Sequence, residues 1–205
     1  MKTVVCVRQG NKYGPEWVSM LWRMVHQNVT EPIRFVCLSD GQNPCETRRL
    51  SWPWTGWWSK LELFSPWNAD LRPCLYIDLD SFVLGDITSA LDTDEFKMAE
   101  NYGTRGTPQS CVMMIPAYTG HIWQHWVESP DTHMNNNKRH GDQGYLAQFN
   151  EGFVNDHIEV LSYKKHKILD APSTQIVQFH GKPKPNAENV ADWVKEVWNE
   201  YARVD

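Results

Sequence analysis

Asp78 and Asp80 stand one residue apart near the end of the apolar run "LYIDLDSF", residues 75–82. Carboxylates are hard oxygen donors, so such a pair suits a divalent cation such as Mn²⁺ or Mg²⁺. The same residue types allow two other chemistries. One carboxylate could attack a phosphoryl group while the other works as acid and base, or the pair could simply end a strand and enter a turn. On an extended strand both side chains leave the same face with Cα atoms roughly 7 Å apart, so the chain must turn if they are to share one ion. A second chemically capable group lies in "VQFHGKPKP", where His180, Gly181, Lys182 and Lys184 follow an apolar run. An imidazole, a glycine permitting close backbone approach and two cations together suit a diphosphate carried on a metal.

The elements that must position these groups follow from hydrophobic period. "KTVVCV" reads as a buried strand, and Trp17, Leu21, Met24 and Val25 then fall at helical spacing. "PIRFVCLSD" is a second strand closed by a turn, which completes the opening of a βαβ unit and predicts a mostly parallel sheet. "WSKLELFSPW" is expected to be a short amphipathic helix, and "RPCLYIDLD" a third apolar strand ending at the carboxylates. Ligands of open α/β sheets sit outside the carboxyl ends of the strands, where this strand delivers its acidic pair. "FKMAE" and "SCVMMIP" read as further strands, and "AYTGHIWQHWVESP" as a helix. "DTHMNNNKRHGDQG" reads as an exposed loop, followed by a helix from "DQGYLAQF" and by strands at "HIEVLS" and "TQIVQFHG". The last helix carries Val190, Trp193, Val194, Val197, Trp198 and Tyr201 on one stripe. The expectation is therefore one α/β domain over residues 1–205, with a Rossmann-like, mostly parallel sheet flanked by helices.

Composition removes several function classes. A net charge of −5 lacks the basic footprint of a general nucleic-acid coat, and the short basic runs at residues 137–140 and 162–167 read as solvated surface. No apolar run approaches the ~20 residues of a membrane-spanning helix. Five cysteines without CxxC spacing read as reduced thiols, which with the absence of a signal sequence implies a cytoplasmic protein. Eleven tryptophans are unusual for 205 residues, and Trp52, Trp54, Trp57, Trp58 and Trp67 crowd into one segment. They are read as core and loop packing, or as an aromatic platform beside a sugar or a base.

The stretch "SKLELFSPWNADLRPCLYIDLDSFVLGDITSAL" resembles the glycogenin-like, family 8 group of retaining glycosyltransferases with the GT-A fold. Three further segments are similar in the same order: "VVCVRQGNKYG", "GDQGYL" and "FHGKPKP". The resemblance implies a metal-dependent retaining transfer from a nucleoside-diphosphate sugar, a UDP-sugar by preference, to an acceptor hydroxyl. It implies Tyr13 beside the nucleotide base with Val7 and Arg8, and Lys60 facing the donor. Asp78 and Asp80, with Leu79 between them, would hold Mn²⁺ or Mg²⁺. Gln109 and Ser110 would lie near the donor sugar, and Asp142 and Gln143 under the anomeric centre. Gly181, Lys182 and Lys184 would steady the diphosphate. His180 is the implied metal histidine, although that histidine more often stands where this chain has Gln178, and both positions stay open as the third ligand.

Two other function classes compete. A haloacid-dehalogenase-like phosphatase would use Asp78 as its nucleophile, but it also needs a later pair of acidic metal ligands where "GDQGYL" offers only Asp142. A non-catalytic nucleotide-sugar or carbohydrate-binding module would rest on the tryptophans. The acceptor, whether a saccharide, a modified nucleobase or another hydroxyl, and the oligomeric state are not fixed by these residues.

Overall fold

A strand that alternates apolar side chains can bury both faces, and the first strand does so. The computed structural model describes residues 1–204. In β1 (Lys2–Arg8), Val4 and Cys6 enter one apolar cluster while Val5 enters a second on the other face. Helix α1 (Pro15–Gln27) starts with proline in its first turn, where a missing N–H costs nothing, and it buries Trp17, Val18, Leu21 and Met24 against the first cluster. Strands β2 (Ile33–Ser39) and β3 (Glu46–Arg49) pair parallel outward from β1.

On the inner side of β1 lies β4 (Cys74–Ile77), also parallel, whose Leu75 and Ile77 face the first cluster while Cys74 and Tyr76 face the second. After it, β5 (Ser81–Val83) leaves for a separate small sheet. Strands β6 (Lys97–Glu100) and β7 (Pro108–Ile115) follow, and β7 runs antiparallel to both β4 and β6. Helices α2 (Gly120–Glu128), α3 (Pro130–Asn136) and α4 (Gly141–Leu146) come next. Then come β8 (Gly152–Phe153), β9 (Val160–Ser162), β10 (Ile176–Gln178) and helix α5 (Asp192–Tyr201). The main sheet has the order β3-β2-β1-β4-β7-β6-β8, and the small one β5-β10-β9. Four of the six main pairings are parallel, so the expected mixed α/β architecture with a mostly parallel central sheet is what the chain adopts.

Three local expectations are corrected. The segment expected to be an amphipathic helix forms two 3-10 stretches, Gly56–Phe64 and Pro66–Leu71. Residues from Trp58 to Phe64 are all buried, so there is no polar face to pattern. The polar stretch expected to be a loop contains α3, which begins at Pro130. His133 of that helix stacks on Trp126 and shares a hydrogen bond with the His125 carbonyl at 2.8 Å, tertiary contacts that override weak helix propensity. The last helix starts at Asp192, leaving Val190 before it in the core.

Candidate active site

The carboxyl ends of β1, β4 and β10 and the start of β7 meet at one edge. Because β7 is antiparallel to β4, its first residues return to where β4 ends, and the Asp78 N–H donates to the Cys111 carbonyl at 2.8 Å. Strand β10 is tied to the turn after Asp80 by the pairing of Gln178 with Ser81 and by the Phe179 N–H donating to the Asp80 carbonyl at 2.8 Å. Between these ends and the Trp-rich segment lies a cavity of about 470 Å³, within the ~300–1,000 Å³ of small-molecule sites.

Its floor is a buried charge cluster. The Lys60 ammonium, in a residue only 9% exposed, sits 2.9 Å from Asp78 Oδ1 and 3.1 Å from Asp142 Oδ2. Lys60 also donates to the Ser110 carbonyl at 3.3 Å and lies over the Tyr76 ring. Burial opposes its charge, but Asp142 and then Asp78 more than offset this and raise its pKa. Asp78 is raised above the usual carboxylate range by burial, against the opposing pull of Lys60, and it accepts the Tyr76 hydroxyl at 2.5 Å. Asp142 Oδ2 has its Lys60 contact but no aligned hydrogen-bond donor.

Asp80 belongs to a second set. Its Oδ2 accepts the Tyr13 hydroxyl at 3.0 Å and pairs with Lys184, and its Oδ1 accepts Gln178 Nε2 at 2.9 Å. Lys184 also donates to the Phe179 carbonyl at 2.8 Å. The Tyr13 ring packs on Trp17 with centroids 4.7 Å apart. The two carboxylates therefore share a cavity while each meets a different lysine, Lys60 being shared with Asp142.

The structure brings Val7, Tyr13, Lys60, Asp78, Leu79, Asp80, Gln109, Ser110, Asp142, Gln143 and His180 to this cavity wall. Lys184 joins through Asp80. Arg8 points to Ser39 Oγ at 3.4 Å, and neither it nor Gly181 or Lys182 lines the cavity. Gln109 donates to the Glu100 carbonyl at 2.7 Å. His180 shares a 2.7 Å hydrogen bond between its Nε2 and Ser162 Oγ and stacks on Tyr102. Its pKa is lowered, by burial first and then by Lys164.

Tyr76 and Trp57 also line the cavity; Trp57 belongs to the tryptophan cluster read above as packing or as an aromatic platform, and Tyr76 is new to the site. Tyr76 was findable, since strand alternation puts it on the face of Asp78. Of the five clustered tryptophans Trp57 alone makes no ring-to-ring contact among the described residues, and it is 53% exposed. Its indole edge lies against Gly141, where a Cβ would come 2.6 Å from the Trp57 Nε1. Gly141 also has φ +62°, a conformation open to glycine, so the approach of Trp57 and the turn into Asp142 depend on the same residue.

The donors present fit a hard cation. Asp78 and Asp80 offer carboxylates, and the buried Gln178 lines the same cavity with its Oε1 lacking any hydrogen-bond partner. Among the described residues, no three His, Cys, Asp or Glu side chains come together as a cation-binding group.

The fold is the GT-A-like architecture that solved glycosyltransferases also adopt. The glycosyltransferase GlyE of Streptococcus pneumoniae TIGR4 superposes with a TM-score of 0.74 at 16% identity, over 100% of this chain and 62% of GlyE. The galactosyltransferase LgtC, solved with donor and acceptor sugar analogues, superposes with a TM-score of 0.70 at 13% identity, over 99% of this chain and 97% of LgtC. The bifunctional glycosyltransferase WbbM gives 0.63 at 12%, over 98% of this chain and 52% of WbbM. The chain thus spans less than two thirds of GlyE and WbbM and nearly all of LgtC. No protein-family model matches the sequence, and no curated protein matches it by sequence. Among the described residues, no helix is long and apolar enough to cross a membrane.

Proposed function

We propose that the chain is a metal-dependent, retaining glycosyltransferase that moves a sugar from a nucleoside-diphosphate sugar, a UDP-sugar by preference, to an acceptor hydroxyl. The observation that carries this reading is Lys60, one buried ammonium touching both the strand-end Asp78 and the helix-start Asp142 across the cavity. Binding modules have no need to bury such a cluster, whose desolvation costs several kcal/mol per ion by general estimates. The chemistry of a transferase does need it.

In a retaining transfer the bond from the anomeric carbon to the diphosphate breaks, the acceptor oxygen bonds to that carbon from the same face, and its proton passes to the departing phosphate oxygen. Fixed positive charge at the leaving group lowers the barrier because the site need not reorganise as charge develops. Lys184 would supply this charge, a role supported by its pairing with Asp80 of the acidic turn. Lys60 pairs with Asp142 and orients it, and Asp142 with Gln143 positions the sugar and the incoming hydroxyl. Tyr13 and Val7 supply one wall for the base. Asp78 and Asp80 would hold Mn²⁺ or Mg²⁺, which when bound supplies Lewis-acid neutralisation of the diphosphate.

The open face of Trp57 supports a saccharide acceptor, because an exposed indole without a ring partner offers a flat apolar wall beside Asp142. The deciding experiment offers UDP-, GDP- and dTDP-sugars with Mn²⁺ or EDTA and reads nucleoside diphosphate release, with an aryl phosphate as control. Metal-dependent release from one donor and an intact aryl phosphate is the expected result. Phosphate release from the aryl ester alone would assign Asp78 the role of nucleophile and end this proposal.

A further inference from the structure

We infer that Gln9 is a positioning residue for the acceptor side of the cavity: its side-chain amide locks the turn that sets Trp57 beside Asp142. This rests on the function proposed above, which gives the Trp57 face to the acceptor. Gln9 directly follows β1 and lines the cavity, and the donor set described above does not use it. Its Nε2 donates to the Trp54 carbonyl at 2.7 Å, and its Oε1 accepts the Gly56 N–H at 2.6 Å. A carbonyl only accepts and a backbone N–H only donates, so these two partners fix which end of the amide is nitrogen. One side chain thereby does for residues 54–56 what a neighbouring strand would do.

The segment needs such a holder. Residues 50–55 belong to no helix or strand, and Gly56 turns the chain at φ +63° directly before Trp57. Trp54 is buried, with its ring against Trp123 and Trp126, whereas Trp57 meets no other ring among the described residues. Nothing in its own packing fixes the Trp57 indole beyond the edge contact with Gly141, one residue before Asp142. Its placement therefore comes from the backbone behind it. The anchor is firm on the other side: β1 is paired with strands on both edges, and the Gly10 N–H donates to Asp40 Oδ2 at 2.9 Å in the turn after Gln9. A flat wall fixed before the acceptor arrives spares the cost of ordering it on binding. Gln9 acts on the acceptor through Trp57 and does not itself touch the reacting atoms.

The test uses Gln9→Met, which keeps the length of the side chain and removes both hydrogen bonds, in the full chain labelled with 5-fluorotryptophan. The ¹⁹F resonance of Trp57, assigned by its loss in Trp57→Phe, should shift and broaden in Gln9→Met. UDP affinity in Mn²⁺ should stay within about twofold of the wild type, as for a site with no shared contact. With p-nitrophenyl glycosides as acceptor probes, acceptor KM should rise about tenfold, the size expected from losing two ordinary hydrogen bonds, with donor KM little changed. A Trp57 resonance identical in Gln9→Met and wild type would overturn the inference, and that reading needs no acceptor. An unchanged acceptor KM would overturn it as well. So would a tenfold fall in UDP affinity, which would move Gln9 to the nucleotide wall. In each of these cases UDP still binds the wild type and the proposed function stands; a wild type that binds no UDP would instead overturn that function, and this inference with it.

Discussion

Two charge networks in the molecule use the same chemistry at opposite depths. At the outer edge of the sheet, Arg34 pairs with Glu46 at 2.6 Å and with Asp70 at 3.1 Å, and Arg48 pairs with Asp70 at 2.6 Å. At the ligand edge, Lys60 pairs with Asp78 and Asp142, and Lys184 with Asp80. The first network is mostly hydrated, so each bond made replaces a bond to water, and such pairs contribute little. The second is largely dry, so removing one partner leaves charge uncompensated in a poor solvent. Distances alone would rank the two as equals. Burial separates a network that fastens an edge from one kept largely out of water, as the site proposed for a charged ligand requires.

That contrast can be broken in graded ways. Replacing Lys60 with Met leaves Asp78 and Asp142 buried without their cation. The expected loss is about 3–5 kcal/mol of stability by denaturant titration, and roughly 10²–10³-fold in donor turnover. Asp142→Asn keeps the shape and removes one charge. It should lower kcat by at least about tenfold with little change in donor KM, the pattern of an interaction made mainly in the transition state. Gly141→Ala places a Cβ against the Trp57 indole and forces a positive φ on alanine, for an expected cost of about 1–3 kcal/mol. Adding Trp57→Ala to it should restore the packing share of that loss and leave the backbone share, which thermal melts of the single and double variants separate. Smallest of all, Arg34→Gln in the outer network should change stability by no more than about 1 kcal/mol, and by less at high salt.

The sequence carried the parts whose patterns are local. β1, β2, β4, α1 and α5 repeat apolar residues at strand or helix period, and each is present. β3, "ETRR", escaped because an exposed edge strand has no apolar face to show, and β5 and β8 are too short to have a period. α3 is polar throughout and is held by His133 against Trp126, a contact visible only once α2 is in place. In the site, the acidic turn and Asp142 stood out by type and by resemblance. The division of the carboxylates between Lys60 and Lys184 did not, because Lys60 meets Asp142 only through the turn at Gly141 and the packing of α4 on the first 3-10 stretch. Nor did the separation of Gln178, which meets Asp80 in the turn after β4, from His180, which meets Ser162 of β9.

The central claim is that the buried network receives a nucleoside diphosphate, and titration calorimetry tests it most directly. UDP, GDP and dTDP are titrated with Mn²⁺ into the wild type, Asp80→Asn and Arg34→Gln. The account predicts one saturable site for at least one nucleotide, unchanged in Arg34→Gln and weakened about tenfold or more in Asp80→Asn. Equal affinity in Asp80→Asn, or no binding of any of the three nucleotides to the wild type, would contradict it.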